Sequence, residues 1–135
     1  MVRIPNTIFQ KMINHALRES PLECCGILAG KGRTVRRLYE MMNRDSSTTT
    51  YRVAPEEQLK VFSEMEKEGL DMLAIYHSHP DTIPFPSVSD VRLAFYPDVV
   101  YVIISLRDGG TCVKGFRIRK DAISLETIRV IGRSS

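Results

Sequence analysis

Residues 76–90 read YHSHPDTIPFPSVSD. Two of the chain's three histidines, His77 and His79, stand one residue apart at the end of an apolar run, 72–76. In a strand, residues i and i+2 point to the same face. The two imidazoles then project together from the strand end, about 7 Å apart at the backbone. That separation lets both reach one metal ion at ~2.0–2.1 Å. Pro80 stops the strand, because it has no N–H to donate to a ladder. Ser87-Val88-Ser89-Asp90 follows a proline-stiffened loop and has two readings. It can be a helix capping box, although Glu or Gln is the usual partner of the serine. Alternatively, a carboxylate in the first turn can fold back to the strand end. His77, His79 and Asp90 are then three ligands with a fourth tetrahedral position left for water, the arrangement of a catalytic rather than a structural zinc. Ser87 can cap the helix and still aim its hydroxyl at the site.

Outward from this stretch, the apolar runs 72–76 and 99–106 predict central strands covered on both faces, with a helix over about 88–95 between them. Residues 7–18 predict an amphipathic helix with Ile8, Phe9, Met12, Ile13, Ala16 and Leu17 on its buried side and His15 on the surface. Residues 25–30 and 33–39 predict a hairpin around Lys31-Gly32. Tyr51–Val53 is a candidate strand leading to a helix that starts at Pro55, stops at Gly69 and buries Leu59, Phe62 and Met65. Further strands are expected at 114–119 and 127–131, around a Gly109-Gly110 turn. The expected fold class is α/β, mixed α+β, with a mixed sheet flanked by helices.

At 135 residues the chain predicts a single domain over 1–135, with the last few residues disordered. Hydrophobic content of 43% and charged content of 26% are ordinary for a soluble protein. No apolar run approaches the ~18 residues of a membrane span. The opening MVRIPNTIFQ lacks the order of a signal peptide, and three cysteines do not make a disulfide framework. A cytoplasmic setting with reduced thiols is the expectation. A net charge of +3 is too small to imply nucleic acid, and no membrane partner is expected. Lys31, Arg33, Arg36 and Arg37 form the one basic concentration, readable as a solvated strand or as a docking patch for an acidic partner.

One glutamate stands apart from the others. Glu23 lies in PLECCGILAG, residues 21–30, a small-residue and apolar segment, and read alone it is either a turn residue or a base. The full string, His77-x-His79-Pro80 then Ser87-x-x-Asp90 with Glu23 upstream, resembles the JAMM (MPN+) zinc metalloisopeptidase signature at all five positions. The resemblance covers nearly the whole chain and implies the curved mixed sheet of the JAMM/MPN, cytidine-deaminase-like fold. It implies one zinc per chain on His77, His79 and Asp90, with Glu23 taking a proton from the attacking water and Ser87 stabilising the oxyanion. It further implies hydrolysis of a peptide or isopeptide bond after the C-terminal Gly-Gly of a ubiquitin-like protein. Only Cys112 lies beyond Asp90, with no histidine, so no second metal site is expected. The compact chain is similar to stand-alone prokaryotic members that process small sulfur-carrier proteins; a homodimer is compatible with it. An extended tail is best held as an added strand, and 45–53, with Thr49, Thr50 and Tyr51, is the expected edge.

Three other readings fit less well. A non-enzymatic MPN-type scaffold lacks metal ligands that this chain retains. A zinc deaminase needs His-x-Glu and Pro-Cys-x-x-Cys, and neither is present. A cysteine hydrolase would use Cys24 or Cys25 with a histidine, but adjacent cysteines in a small-residue segment fit core positions better.

Overall fold

The structure is a computed structural model that describes residues 1–132. The expectation of a disordered C-terminal end falls on residues 133–135, outside the described residues. The chain runs β1 (Val2–Pro5), α1 (Asn6–Glu19), β2 (Cys25–Lys31), β3 (Thr34–Met41), α2 (Pro55–Glu68), β4 (Asp71–His79), α3 (Val88–Arg92), β5 (Val100–Ser105), β6 (Cys112–Arg119), β7 (Ala122–Glu126) and β8 (Ile128–Ile131). All eight strands form one sheet in the order β7-β6-β5-β4-β2-β3-β1-β8. The β4–β5, β1–β3 and β1–β8 pairs are parallel and the rest antiparallel. The sheet is therefore mixed, as expected from the sequence.

The connectivity forces curvature. β7 and β8 occupy opposite ends of the strand order yet are joined by Thr127 alone. Laid flat, eight strands at ~4.8 Å spacing would separate those ends by roughly 34 Å, whereas a two-residue step spans at most ~7 Å. The sheet must curl until its ends meet.

β2 and β4 run through the middle, covered on both faces. Alternation along β2 sends Cys24 and Leu28 to the α1 side, with Met12, Ala16 and Tyr76. Cys25, Ile27 and Ala29 face α2, with Val61 and Met65. Gly26 is required by this packing: a Cβ there would lie 2.2 Å from the Tyr76 ring. α2 starts with Pro55 at its first turn and stops at Gly69, whose φ of 66° is the left-handed cap that glycine adopts freely.

Several expectations are corrected. α2 buries Val61 and Met65, while Leu59 is 69% exposed. Leu59 and Val61 sit about 200° apart on the helical wheel, and each makes an apolar stripe with Phe62 and Met65, so only packing chooses between them. His15 is buried, with Nδ1 2.7 Å from the Tyr76 hydroxyl; a partner 61 positions away leaves no trace in the local stripe. Leu17, assigned to the buried side, is exposed. The helix expected over 88–95 closes at Arg92, where Leu93 leaves helical geometry at φ −97° and ψ 7°. The turn after β2 centres on Gly32-Arg33, with Gly32 at φ 60°. The Gly109-Gly110 turn leads into β6, and the strands β1 and β7 were not anticipated. Tyr51–Val53 is not a strand. The Arg52 N–H is taken by the Asn43 side chain, and its carbonyl accepts from the Arg44 N–H, so neither can serve a ladder.

Candidate metal centre

His77 and His79 are the last odd-numbered residues of β4, so they share the face that α2 covers. Both are buried. α3 brings Asp90 to them. Asp90 is the third residue of that helix, and its Oδ2 accepts from the Ser87 N–H at 2.9 Å while its own N–H donates to Ser87 Oγ at 3.1 Å. That is a complete capping box. The same Oδ2 lies 3.1 Å from His77 Nε2 and 2.9 Å from His79 Nε2. Both readings of Ser87-x-x-Asp90 therefore hold at once, with the cap aiming the carboxylate at the histidines.

The two Nε2 atoms are 3.1 Å apart, which closes a triangle with Asp90 Oδ2. Its edges fall just short of the ~3.3 Å edge of a tetrahedron built on ~2.0–2.1 Å bonds. His79 Nδ1 lies 2.8 Å from the Ile83 carbonyl. A carbonyl only accepts, so a proton sits on Nδ1, and Nε2 is the ring nitrogen turned to the triangle. The donor set suits a divalent cation of the zinc type: two imidazoles and one carboxylate around a point that no protein donor fills. These three residues form the one such group among the described residues.

The charges agree with that geometry. Burial raises the Asp90 carboxyl, yet hydrogen bonds from His77 and His79 overrule it and hold the group well below the usual carboxylate range. Burial outweighs the hydrogen bond to Asp90 and lowers His77. Burial also opposes charge on His79, but its bonds to Asp90 and the Ile83 carbonyl raise it on balance.

Glu23 reaches the site through strand register. Cys25 pairs with His77 across β2 and β4. The ladder continues past the strand end, with the Ser78 N–H donating to the Cys24 carbonyl at 3.0 Å. Two residues further back, Glu23 comes opposite His79 on the same face. The Cys24 N–H donates to Ser78 Oγ at 2.8 Å and pins this register. Glu23 is only 3% exposed, and its Oε1 has no hydrogen-bond partner in the protein. Burial pushes its carboxyl up to about 8, moderated by His79. A buried carboxyl whose Oε1 finds no partner in the protein, beside a candidate cation site, is poised to exchange a proton.

The segment that follows β3 walls the site. The Tyr51 ring stacks on His77 with centroids 4.7 Å apart and planes 25° off parallel. The Glu23 N–H donates to the Ser47 carbonyl at 2.8 Å. Beside them opens a largely apolar cavity of about 460 Å³, lined in part by Thr50, Tyr51, Met72, Ser89 and Phe95. Thr49 stands exposed at the loop's outer side. The expected tail-binding strand is thus a loop, and the terminal strands of the sheet are β7 and β8. Ser78 and the Ile83 carbonyl were not singled out from the sequence. A buried serine between two histidines was the only signal for the first, and the second depends on a loop conformation.

The adjacent thiols in β2 and just before it are poorly suited to nucleophilic chemistry. Cys24 and Cys25 are buried and unpaired, and burial pushes Cys24 up to about 11 and Cys25 further still. Neither supplies the thiolate a nucleophile needs. Of the basic cluster, Arg37 pairs with Glu68 and Lys31 with Asp71, as expected of a solvated strand. No helix among the described residues is long and apolar enough to cross a membrane.

Comparison with known proteins agrees with this picture. Residues 5–119 match the family described as prokaryotic homologs of the JAB domain. The chain is 41% identical over 123 residues to the CysO-cysteine peptidase of Mycobacterium tuberculosis, covering 89% of this chain and 84% of that one. It is 37% identical over 93 residues to the desampylase of Haloferax volcanii, covering 67% of each. Among solved structures, protein DSY2949 from Desulfitobacterium hafniense superposes with a TM-score of 0.89 at 37% identity, over 98% of this chain and 94% of that one. AF2198, a JAB1/MPN domain protein from Archaeoglobus fulgidus, shares the fold with a TM-score of 0.64 at 17% identity, over 98% of both chains. Fold and relatives together define a hydrolase of the peptidase class. The chain belongs to the family of prokaryotic JAB-domain proteins, whose structural neighbours are JAMM/MPN proteins.

Proposed function

We propose that this chain, as a single catalytic domain over residues 1–135, is a zinc-dependent peptidase working in the cytoplasm. It cleaves the peptide or isopeptide bond after the C-terminal Gly-Gly of a ubiquitin-like protein of the sulfur-carrier type. The observation that carries this reading is the convergence of His77 Nε2, His79 Nε2 and Asp90 Oδ2 within 3.1 Å of one another, beside a buried carboxylate without a partner.

In this reading His77, His79 and Asp90 hold one zinc ion. When bound, zinc supplies a Lewis acid and brings water to a pKa near ~7. Glu23 Oε1 takes the proton of the attacking water and delivers it to the departing amine. Ser87 Oγ already accepts from the Asp90 N–H, so its own proton is free to donate to the oxygen that gains charge. Ser87 is exposed, so it can meet a substrate carbonyl directly. Thr49, Thr50 and Tyr51 contact the extended tail, whose glycines fit between the loop and the site because they carry no side chain. Every residue named lies in one chain, so a homodimer would carry two complete sites.

The test is direct. The zinc-loaded protein is incubated with a ubiquitin-like protein that ends in Gly-Gly followed by cysteine, and separately with one joined through Gly-Gly to a lysine side chain. Mass spectrometry should show release after the second glycine, abolished by a chelator and restored by zinc. Release by metal-free protein would overturn the proposal, as would inertness of a zinc-loaded chain toward both substrates.

A further inference from the structure

We infer that Asn43 is a positioning residue for this site; the inference rests on the roles proposed for Glu23 and His77. Asn43 is 9% exposed and uses its whole amide. Nδ2 donates to the Glu23 carbonyl at 3.0 Å and to the Thr50 carbonyl at 2.9 Å. Oδ1 accepts from the Asp45 N–H at 3.0 Å and from the Arg52 N–H at 3.1 Å. Two donors and a two-fold acceptor in one short planar group is a combination that aspartate, serine and threonine lack.

The partners show what this amide does. The Glu23 peptide is held at both ends by the loop after β3: its N–H by the Ser47 carbonyl and its carbonyl by Asn43. The Glu23 carboxylate has no such support, since Oε1 meets no protein donor. Where that carboxylate points is therefore set by its backbone, which Asn43 holds at the carbonyl while the Ser47 carbonyl and Ser78 hydroxyl hold the neighbouring N–H groups. The same amide grips the chain on either side of Tyr51, through the Thr50 carbonyl and the Arg52 N–H. The Tyr51 ring is the wall on which His77 stacks. Asn43 thus aligns the base and backs one imidazole without reaching either reacting group.

It touches none of the three ligands directly, and His77 is carried by β4 itself. Asp90 is aimed by Ser87, and His79 by the Ile83 carbonyl. Loss of the Asn43 amide should therefore leave the metal in place and harm turnover. This separates positioning from a general role in stability.

Asn43→Asp keeps an acceptor for Asp45 and Arg52 and removes both donors; Asn43→Ala removes everything. The probe substrate is a ubiquitin-like protein ending in Gly-Gly-Cys, and Glu23→Gln is the reference. Asn43→Asp should bind one zinc per chain and lose about 10- to 100-fold in kcat, as expected for a misplaced catalytic group, with a smaller rise in KM because the Thr50 carbonyl it releases lies in the proposed tail-binding loop. In zinc-free protein, the Glu23 amide should exchange its hydrogen faster in both Asn43 variants than in wild type, while protection across β4 and β5 is unchanged. Should Asn43→Ala not fold, Asn43→Asp carries the test. Wild-type kcat in Asn43→Asp would overturn the inference, as would a deficit confined to KM, loss of zinc, or unchanged exchange at Glu23. If Glu23→Gln itself turns over normally, the reading of the base fails instead, and the two failures are told apart.

Discussion

The proposed function gives His77 and His79 one job and Glu23 another, and substitutions should separate them. His77→Ala or His79→Ala removes one of three ligands, so zinc content and activity should both fall to background; stoichiometric zinc in the double alanine variant would show that the metal lies elsewhere. Glu23→Gln should keep its zinc and lose at least ~10²-fold in kcat, the usual contribution of a general base. Ser87→Ala should keep zinc and fall by a comparable factor if its hydroxyl meets the oxyanion, the ~10²-fold scale of one lost donor. Glu23 also has a signature without metal. Its carboxyl is raised by burial from 4.5 to about 8. Below 4.5 the group is protonated in folded and unfolded chains alike, and it costs nothing. Between 4.5 and about 8 the unfolded chain gives up the proton while the folded one keeps it, so stability falls as pH rises. Thermal melts of zinc-free wild type should show that decline. Glu23→Gln should lack it, with the gap opening above 4.5 and complete near 8. Parallel pH profiles for the two proteins would contradict the burial of this carboxylate.

Among the elements, β2 and β4 carry the site, and their close pairing has one tight point. Gly26 faces the fully buried Tyr76 ring, and a Cβ would overlap it at 2.2 Å. Gly26→Ala should destabilise the fold by about 1–3 kcal/mol, the usual cost of overpacking a dense core. Because Cys25, the preceding residue, pairs with His77, zinc affinity should weaken as well. Unchanged denaturant unfolding would mean that Tyr76 has another place to go. The loop at 45–53 behaves differently, since its backbone is satisfied by Asn43 and Ser47 rather than by a ladder. The Thr50 N–H donates to Ser47 Oγ at 3.2 Å, so Thr50→Pro removes a loop bond and not a sheet bond. It should raise KM for a protein substrate while zinc content stays at one per chain. Normal KM would place the substrate's tail elsewhere.

Across the whole molecule, zinc would tie the end of β4 to the start of α3, so binding the ion should raise the melting temperature by mass action. Asp90→Ala should lose that increment together with the capping bond; a melting temperature indifferent to zinc in wild type would argue against the centre. Much of this was legible beforehand. The alternation His77-x-His79, the stop at Pro80, the serine-to-aspartate spacing and the apolar runs of β4 and β5 are local patterns, because they depend on periods of two and on first-turn capping. A resemblance in the same residues carried Glu23. Other features were decided only when distant segments met. His15 is buried because Tyr76 offers its hydroxyl, and α2 turns Val61 rather than Leu59 inward because of what β2 and β4 present. Residues 51–53 stay out of the sheet because the Asn43 side chain claims the Arg52 N–H first. Curvature, too, follows from β7 and β8 being neighbours in sequence and opposite ends in the sheet. Local periodicity tells a residue which way to face along its own element. Which partner it meets there is set by loop closure and register between elements far apart in the chain, and no short stretch of sequence contains that information.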